Sequence, residues 1–333
     1  MASVDARSKP WFAESEYPFE SRYLEVPGGK LHYIDEGRED GSAIVFVHGT
    51  PSWSYEFRAQ IRELREHHRC IALDHLGFGR SERPVREPRE PEGSGFKYSM
   101  ADHSANLRRL IESLGLECYS LVVHDFGGPI ALPLVIEAPE RVARLVIMNS
   151  WAWSMDNDPK FEKGRRYVDT WLTRFLYLRA NFSASYLVKT SWGTRGPLTP
   201  EIHARFKSMF PNKDSRLGTW GFARSLVRDE AYLEQLHEQV KGGRLESVPT
   251  LVIWGKADSL VGEPQLQRWK EELPGARFVE LDGVGHFPQE EAPEEVGRLV
   301  GGFLSDQRSS HRRTKGIVPE EGSSVSGGRS NTR

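Results

Sequence analysis

Three polar residues in this sequence stand where a strand gives way to a loop, and their types could together form and break a covalent ester. Asp125 ends the apolar run Leu121-Val122-Val123-His124, is followed by Phe126-Gly127-Gly128, and leads into an Ala/Leu/Ile-rich segment of helical spacing. The pattern predicts a strand, a sharp turn and a helix, with Asp125 raised on a strained elbow between small residues. A plainer reading is a strand-to-helix turn in which Asp125 caps the helix and the glycines serve packing. Asp258 follows the apolar run Thr250-Leu251-Val252-Ile253-Trp254-Gly255, and His286 follows Arg277-Phe278-Val279-Glu280-Leu281.

An aspartate nucleophile constrains the reaction. Its carboxylate is ionised at neutral pH, attacks carbon without a base, and becomes an ester of Asp125 itself. Hydrolysis of that ester needs activated water, which assigns His286 as base and Asp258 as the group that fixes its tautomer and stabilises the imidazolium. The oxyanion is expected to be held by the backbone N–H groups of Phe126 and of Thr50, in the loop after His48-Gly49. No cofactor and no metal is required. Asp156 and Asp158 are alternative acids, although Asn149-Ser150-Trp151 occupies the immediate strand end there. The other histidines read as packing or surface groups: His67 and His68 at a polar helix end, His103 and His203 on helical faces, His311 in the tail, and His75 and His124 beside strand ends.

The elements that must position these groups alternate. Arg22–Val26 and Lys30–Asp35 read as two strands around Pro27-Gly28-Gly29, an antiparallel entry to a sheet, and Ala43–Val47 as a strand buried on both faces. Strand and helix then alternate through Arg144–Asn149, which predicts a mainly parallel sheet covered by helices on both faces, with ligands bound beyond the carboxyl ends of its strands. From Trp151 to about Leu245 no buried-strand run occurs, and aromatic residues and Arg are frequent. This segment is expected to form a mostly helical cap, most of its aromatics packing its own core. The expected organisation is a loose lead-in over 1–18, a core of 19–150 and 246–305, a cap of 151–245 and a disordered, Ser/Gly/Arg-rich tail of 306–333.

With 333 residues, 38% hydrophobic and 28% charged, the composition is that of a globular protein. The formal net charge of −2 gives no reason to expect nucleic acid or an anionic membrane as partner. No apolar run reaches transmembrane length and the N-terminus lacks the apolar core of a signal peptide, so the expected location is the cytoplasm. Cys70 and Cys118 lie beside apolar runs, as buried reduced thiols would.

The motifs His48-Gly49-Thr50-Pro51-Ser52-Trp53-Ser54-Tyr55, Asp74-His75-Leu76-Gly77-Phe78-Gly79-Arg80-Ser81, His124-Asp125-Phe126-Gly127-Gly128, Trp254-Gly255-Lys256-Ala257-Asp258 and Gly285-His286-Phe287 resemble the haloalkane dehalogenase branch of the α/β-hydrolases. The resemblance spans roughly residues 20 to 304. It implies an α/β-hydrolase fold with a helical cap inserted after Asn149, nucleophile Asp125, acid Asp258 and base His286, while the aromatic-rich cap points to a small, mostly apolar substrate. Two positions depart from that branch. Phe126 stands where a Trp usually donates its indole N–H to the departing halide, and Thr50 where Asn or Glu is common. Replacement halide donors are sought in Trp53, Trp151 and Trp153. Epoxide hydrolases are similar but protonate their substrate with two cap tyrosines, for which Tyr167, Tyr177, Tyr186 and Tyr232 are available. Haloacetate dehalogenases carry an Arg close after the nucleophile, which is missing here. A β-lactone decarboxylase, also similar in its His-Gly loop, needs no halide site and is the natural alternative. A relative that binds a ligand without turnover generally lacks a triad member, and none is missing here.

Overall fold

The computed structural model describes residues 15–84, 95–155 and 159–306. Most of the expected lead-in and tail, with His311, and the alternative acids Asp156 and Asp158 lie outside them.

The apolar runs become strands buried on both faces. β1 (Arg22–Val26) and β2 (Gly29–Gly37) form the antiparallel hairpin. β3 (Ala43–Val47), β4 (Arg69–Leu73), β5 (Tyr119–His124), β6 (Val142–Met148), β7 (Thr250–Gly255) and β8 (Arg277–Leu281) follow. β3, β5 and β7 are buried at every residue, because helices cover both sides of a parallel sheet. One eight-stranded sheet has the order β1-β2-β4-β3-β5-β6-β7-β8, parallel from β4 onwards.

The strand order reverses between β3 and β5. The chain runs from β3 outward to β4 and then returns to pair β5 on the other side of β3. Loops leaving β3 and β5 therefore part in opposite directions and open a crevice above the sheet. The loop Thr50–Trp53 and the elbow Asp125 flank that crevice, and the loops after β7 and β8 bring Asp258 and His286 to the same edge.

The helices are α1 (Arg58–Leu64), α2 (Met100–Ser113), α3 (Gly127–Glu137), α4 (Pro159–Val168), α5 (Trp171–Ala180), α6 (Val188–Ser191), α7 (Pro200–Ser208), α8 (Leu217–Arg228), α9 (Glu230–Lys241), α10 (Glu263–Glu272), α11 (Pro288–Glu291) and α12 (Pro293–Ser305). Helices α4 to α9 form an insertion between β6 and β7. α3 needs Gly127 and Gly128 to sit tightly on the sheet: a Cβ on Gly127 would stand 2.1 Å from the Val47 carbonyl oxygen, and one on Gly128 1.9 Å from Ser150 Oγ.

One expectation is corrected. Cys70 is buried in β4, but Cys118 is exposed, because it precedes β5 in the connecting loop instead of entering the sheet. Among the aromatics of the insertion, Trp171 and Phe175 point to solvent with 79% and 53% exposure. Replacing Gly127 with Ala should cost at least about 1–3 kcal/mol of folding stability, since backbone must shift to admit the methyl group. Urea denaturation measures this, and an unchanged midpoint would show that α3 is not in close contact with β3.

Candidate active site

Asp125 adopts φ +51°, a left-handed conformation that a residue bearing a side chain occupies only when its surroundings enforce it. Its N–H donates to the Met148 carbonyl at 3.3 Å, and its own carbonyl accepts from Gly128 N at 3.1 Å and Ser150 Oγ at 2.5 Å. The side chain then points across the crevice towards the loop after β3. Oδ2 accepts from Thr50 N at 2.8 Å. Gly49 makes this approach possible, since a Cβ there would lie 2.3 Å from Oδ2.

His286 lies on the other side of the carboxylate. Its Nδ1 is 2.7 Å from Asp258 Oδ2, and its Nε2 is 3.7 Å from Asp125 Oδ1. Asp258 is fixed by donors on both oxygens: Leu260 N at 2.7 Å and Val261 N at 3.1 Å to Oδ1, and Asn149 Nδ2 at 2.9 Å to Oδ2. An acceptor held this way requires Nδ1 to carry the proton, which turns Nε2 towards Asp125.

Three positioning groups carry weaker signals in the sequence. Asn149 also bonds both backbone groups of Gly255, tying the ends of β6 and β7 together beneath Asp258. Glu291 accepts from Gly285 N at 2.8 Å, Phe287 N at 3.2 Å and Gly193 N at 2.8 Å, which clamps the His286 loop to the insertion. Glu56, fully buried, meets His124 Nδ1 at 3.2 Å, while His124 Nε2 donates to the His286 carbonyl at 2.7 Å. A lone carboxylate inside the aromatic stretch Trp53–Phe57 is the available sequence signal for Glu56; Glu291 sits in an acidic run that reads as solvated surface.

Burial favours neutral forms, and the charges of the cluster oppose it. Burial pulls His286 down, but the charge and hydrogen bond of Asp258 and the charge of Asp125 outweigh it and hold its pKa at about 9. Burial pushes Asp125 up, against the charges of His286 and His124 and the backbone N–H groups of Thr50 and Phe126.

Asp125 and His286 line a cavity of about 250 Å³. Its walls are Phe126, Trp151 and Phe287 from the core and Phe161, Tyr177 and Leu187 from the insertion, and no Arg or Lys lines it among the described residues. Phe126 stacks on Phe222 at 4.5 Å and meets Trp151 edge-on at 4.9 Å. Of the three tryptophans considered as halide donors, only Trp151 reaches the cavity, and its Nε1 has no hydrogen-bond partner among the described residues. Thr50 Oγ1 is likewise buried and unpartnered. Trp53 is instead stacked on Tyr55 at 5.4 Å and packed against Tyr17. Trp153 gives its indole N–H to Gln265 and packs on Trp269, away from the cavity. Among the tyrosines, Tyr177 lines the cavity, Tyr232 donates to the Pro129 carbonyl, and Tyr167 and Tyr186 are exposed.

In a proton NMR titration, the His286 imidazole should titrate near 9 in the intact protein and at lower pH after Asp125→Asn, because a neighbouring anion is removed. An unchanged midpoint would show that the two side chains do not interact.

The sequence matches the family model of the α/β hydrolase fold over residues 42–293. Haloalkane dehalogenase 2 of Mycobacterium tuberculosis is 32% identical over 286 residues, covering 85% of this chain and 94% of that protein. The cis-3-alkyl-4-alkyloxetan-2-one decarboxylase of Shewanella oneidensis is 30% identical over 295 residues, covering 87% and 89%. In the crystal structure of haloalkane dehalogenase DbeA from Bradyrhizobium elkani, 98% of that chain aligns with 86% of this one at a TM-score of 0.73 and 25% identity. Likeness of this extent in both sequence and sheet architecture places the chain in the α/β-hydrolase family, in its haloalkane dehalogenase-like branch, as an enzyme of that hydrolase class.

Proposed function

We propose that the enzyme hydrolyses small, mostly apolar substrates through an ester on Asp125, with a carbon–halogen bond as the first target. The observation that carries this reading is the alignment of Asp258, His286 and Asp125 against an apolar cavity, with contacts of 2.7 Å and 3.7 Å.

Oδ2 is engaged by Thr50 N, which leaves Oδ1 to attack the carbon bearing the leaving group. The carbon–oxygen bond forms as the carbon–halogen bond breaks, and the halide departs with the electron pair. Trp151 Nε1 and Thr50 Oγ1, both buried and unpartnered, are the donors proposed to receive it in place of the indole that Phe126 lacks. Alkylation neutralises Asp125 and so removes one of the charges that keep His286 protonated, and the imidazolium releases its proton to solvent as the counterpart of the departed halide. The neutral imidazole then takes a proton from water, and hydroxide adds to the ester carbonyl. The backbone N–H groups of Thr50 and Phe126 hold the resulting oxyanion. Collapse expels the alkoxide, which takes its proton from His286, and the carboxylic acid left on Asp125 passes the proton of the added hydroxide to the neutral imidazole, which regenerates the Asp125 carboxylate and the protonated His286.

A second reading is favoured by Phe126. A β-lactone decarboxylase would form an acyl-enzyme on Asp125 and release no halide, so a phenyl ring packed between Trp151 and Phe222 would suit it. Epoxide hydrolysis has less support, since a single tyrosine, Tyr177, lines the cavity among the described residues.

Intact-protein mass spectrometry of His286→Phe, incubated separately with a short bromoalkane, an epoxide and a β-lactone, tests these readings. The proposal expects the mass of the alkyl group on Asp125 with bromide released. An adduct with only the lactone or the epoxide moves the enzyme out of the dehalogenases, and no adduct at all overturns the nucleophile. Trp151→Phe should raise the KM for the bromoalkane or lower its kcat by roughly ten-fold or more, the effect of losing a hydrogen bond to a charged group. Unchanged steady-state kinetics would remove Trp151 as the halide donor.

A further inference from the structure

Five of the seven exposed large apolar side chains among the described residues lie between Tyr167 and Tyr186: Tyr167, Trp171, Leu172, Phe175 and Tyr186. On α5, Trp171, Leu172, Phe175 and Arg179 fall within about 100° of helix arc, so they share one face. A cluster of this kind on a water-facing surface marks a place that something covers.

The charge around it identifies what. Residues 161–190 hold six Lys and Arg against two acids, in a chain whose formal net charge is −2. Lys163, Arg166, Arg174, Arg179 and Lys189 are exposed and have no carboxylate partner among the described residues. Asp169 is taken by Arg224 and Arg228. The near-neutral chain therefore concentrates positive charge around its exposed aromatics. Two copies meeting through this face would bring like charges together. Aromatic side chains among long cationic ones match the boundary of an anionic bilayer, where rings sit at headgroup depth and cations reach lipid phosphates. No helix among the described residues is long and apolar enough to cross a membrane, so the contact would lie in the interface plane.

We propose that the face formed by α4, α5 and the turn around Tyr186 docks on an anionic lipid surface. The same helices wall the cavity. Tyr186 stacks on Phe182 at 5.1 Å, Phe182 meets Tyr177 at 5.7 Å, and Tyr177 lines the cavity. A run of packed rings thus connects the docking face to a wall of the cavity. The docking itself stands independently of the chemistry at Asp125.

The test is co-sedimentation of the full chain with vesicles of mixed phosphatidylglycerol and phosphatidylcholine, compared with phosphatidylcholine alone. The wild-type protein should pellet with the anionic vesicles and be released by added salt. Trp171→Ala/Phe175→Ala and Arg174→Glu/Arg179→Glu should each weaken binding more than about ten-fold, with Arg277→Glu on the far edge strand and Asp125→Asn binding as wild type. Failure of the wild type to pellet, or equal pelleting of all variants, overturns the proposal. So does sedimentation velocity showing a dimer that Trp171→Ala/Phe175→Ala dissociates while vesicles leave the wild type in solution, since a second copy would then cover the face.

Discussion

A carboxylate buried beside an imidazole, in a backbone conformation that its own side chain disfavours, is the constraint around which this molecule is arranged. Asp125 holds φ +51° because its carbonyl is bonded twice and its neighbours are stripped to glycine where the chains approach most closely. Burial pushes its pKa up, and the charges of His286 and His124 with the backbone N–H groups of Thr50 and Phe126 act against that shift. Strain and desolvation of this kind are tolerated only where surrounding packing over-determines the geometry. The parallel sheet supplies that: β3 and β5 are adjacent, and their carboxyl ends deliver Thr50 and Asp125 to the two sides of one crevice.

The histidine side of the site depends on ties between remote parts of the chain. Asn149 joins the ends of β6 and β7 beneath Asp258, Glu291 joins the His286 loop to Gly193 of the insertion, and His124 holds the His286 carbonyl. The insertion is therefore bonded to the His286 loop through Glu291. Its aromatic side chains divide between two tasks, Phe161 and Tyr177 walling the cavity while Trp171 and Phe175 face solvent on the helix that carries Arg174 and Arg179, which have no carboxylate partner among the described residues.

Phe126 carries the chemical question of the candidate site. It keeps the backbone N–H that an oxyanion requires and lacks the side-chain donor that a departing halide would use. Its ring is held by Phe222 and Trp151, so Asp125 faces a mainly aromatic wall beside the Trp151 and Thr50 donors, which are buried and unpartnered among the described residues. Buried donors without partners are costly, and a ligand that accepts from them would recover that cost.

Much of the fold and the core of the candidate site were legible in the residues themselves. Continuous apolar strands such as Ala43–Val47 and Leu121–Val123 encode burial on both faces. Glycines at 127 and 128 mark the tight turn after Asp125, and the order Asp125, Asp258, His286, each in the loop after a strand, is read from local pattern alone. Tertiary structure decided what depends on packing between distant segments. Three tryptophans of equal promise by sequence separate only in space: Trp53 is stacked on Tyr55, Trp153 gives its N–H to Gln265, and Trp151 alone meets the cavity. Glu56 stands out only as a lone carboxylate in an aromatic stretch until the fold buries it, and Glu291 looks like an ordinary surface acid until three backbone donors wrap around it. A near-neutral total charge likewise conceals a basic, aromatic face, because composition sums over the chain whereas a surface is selected by which side chains the fold turns outward.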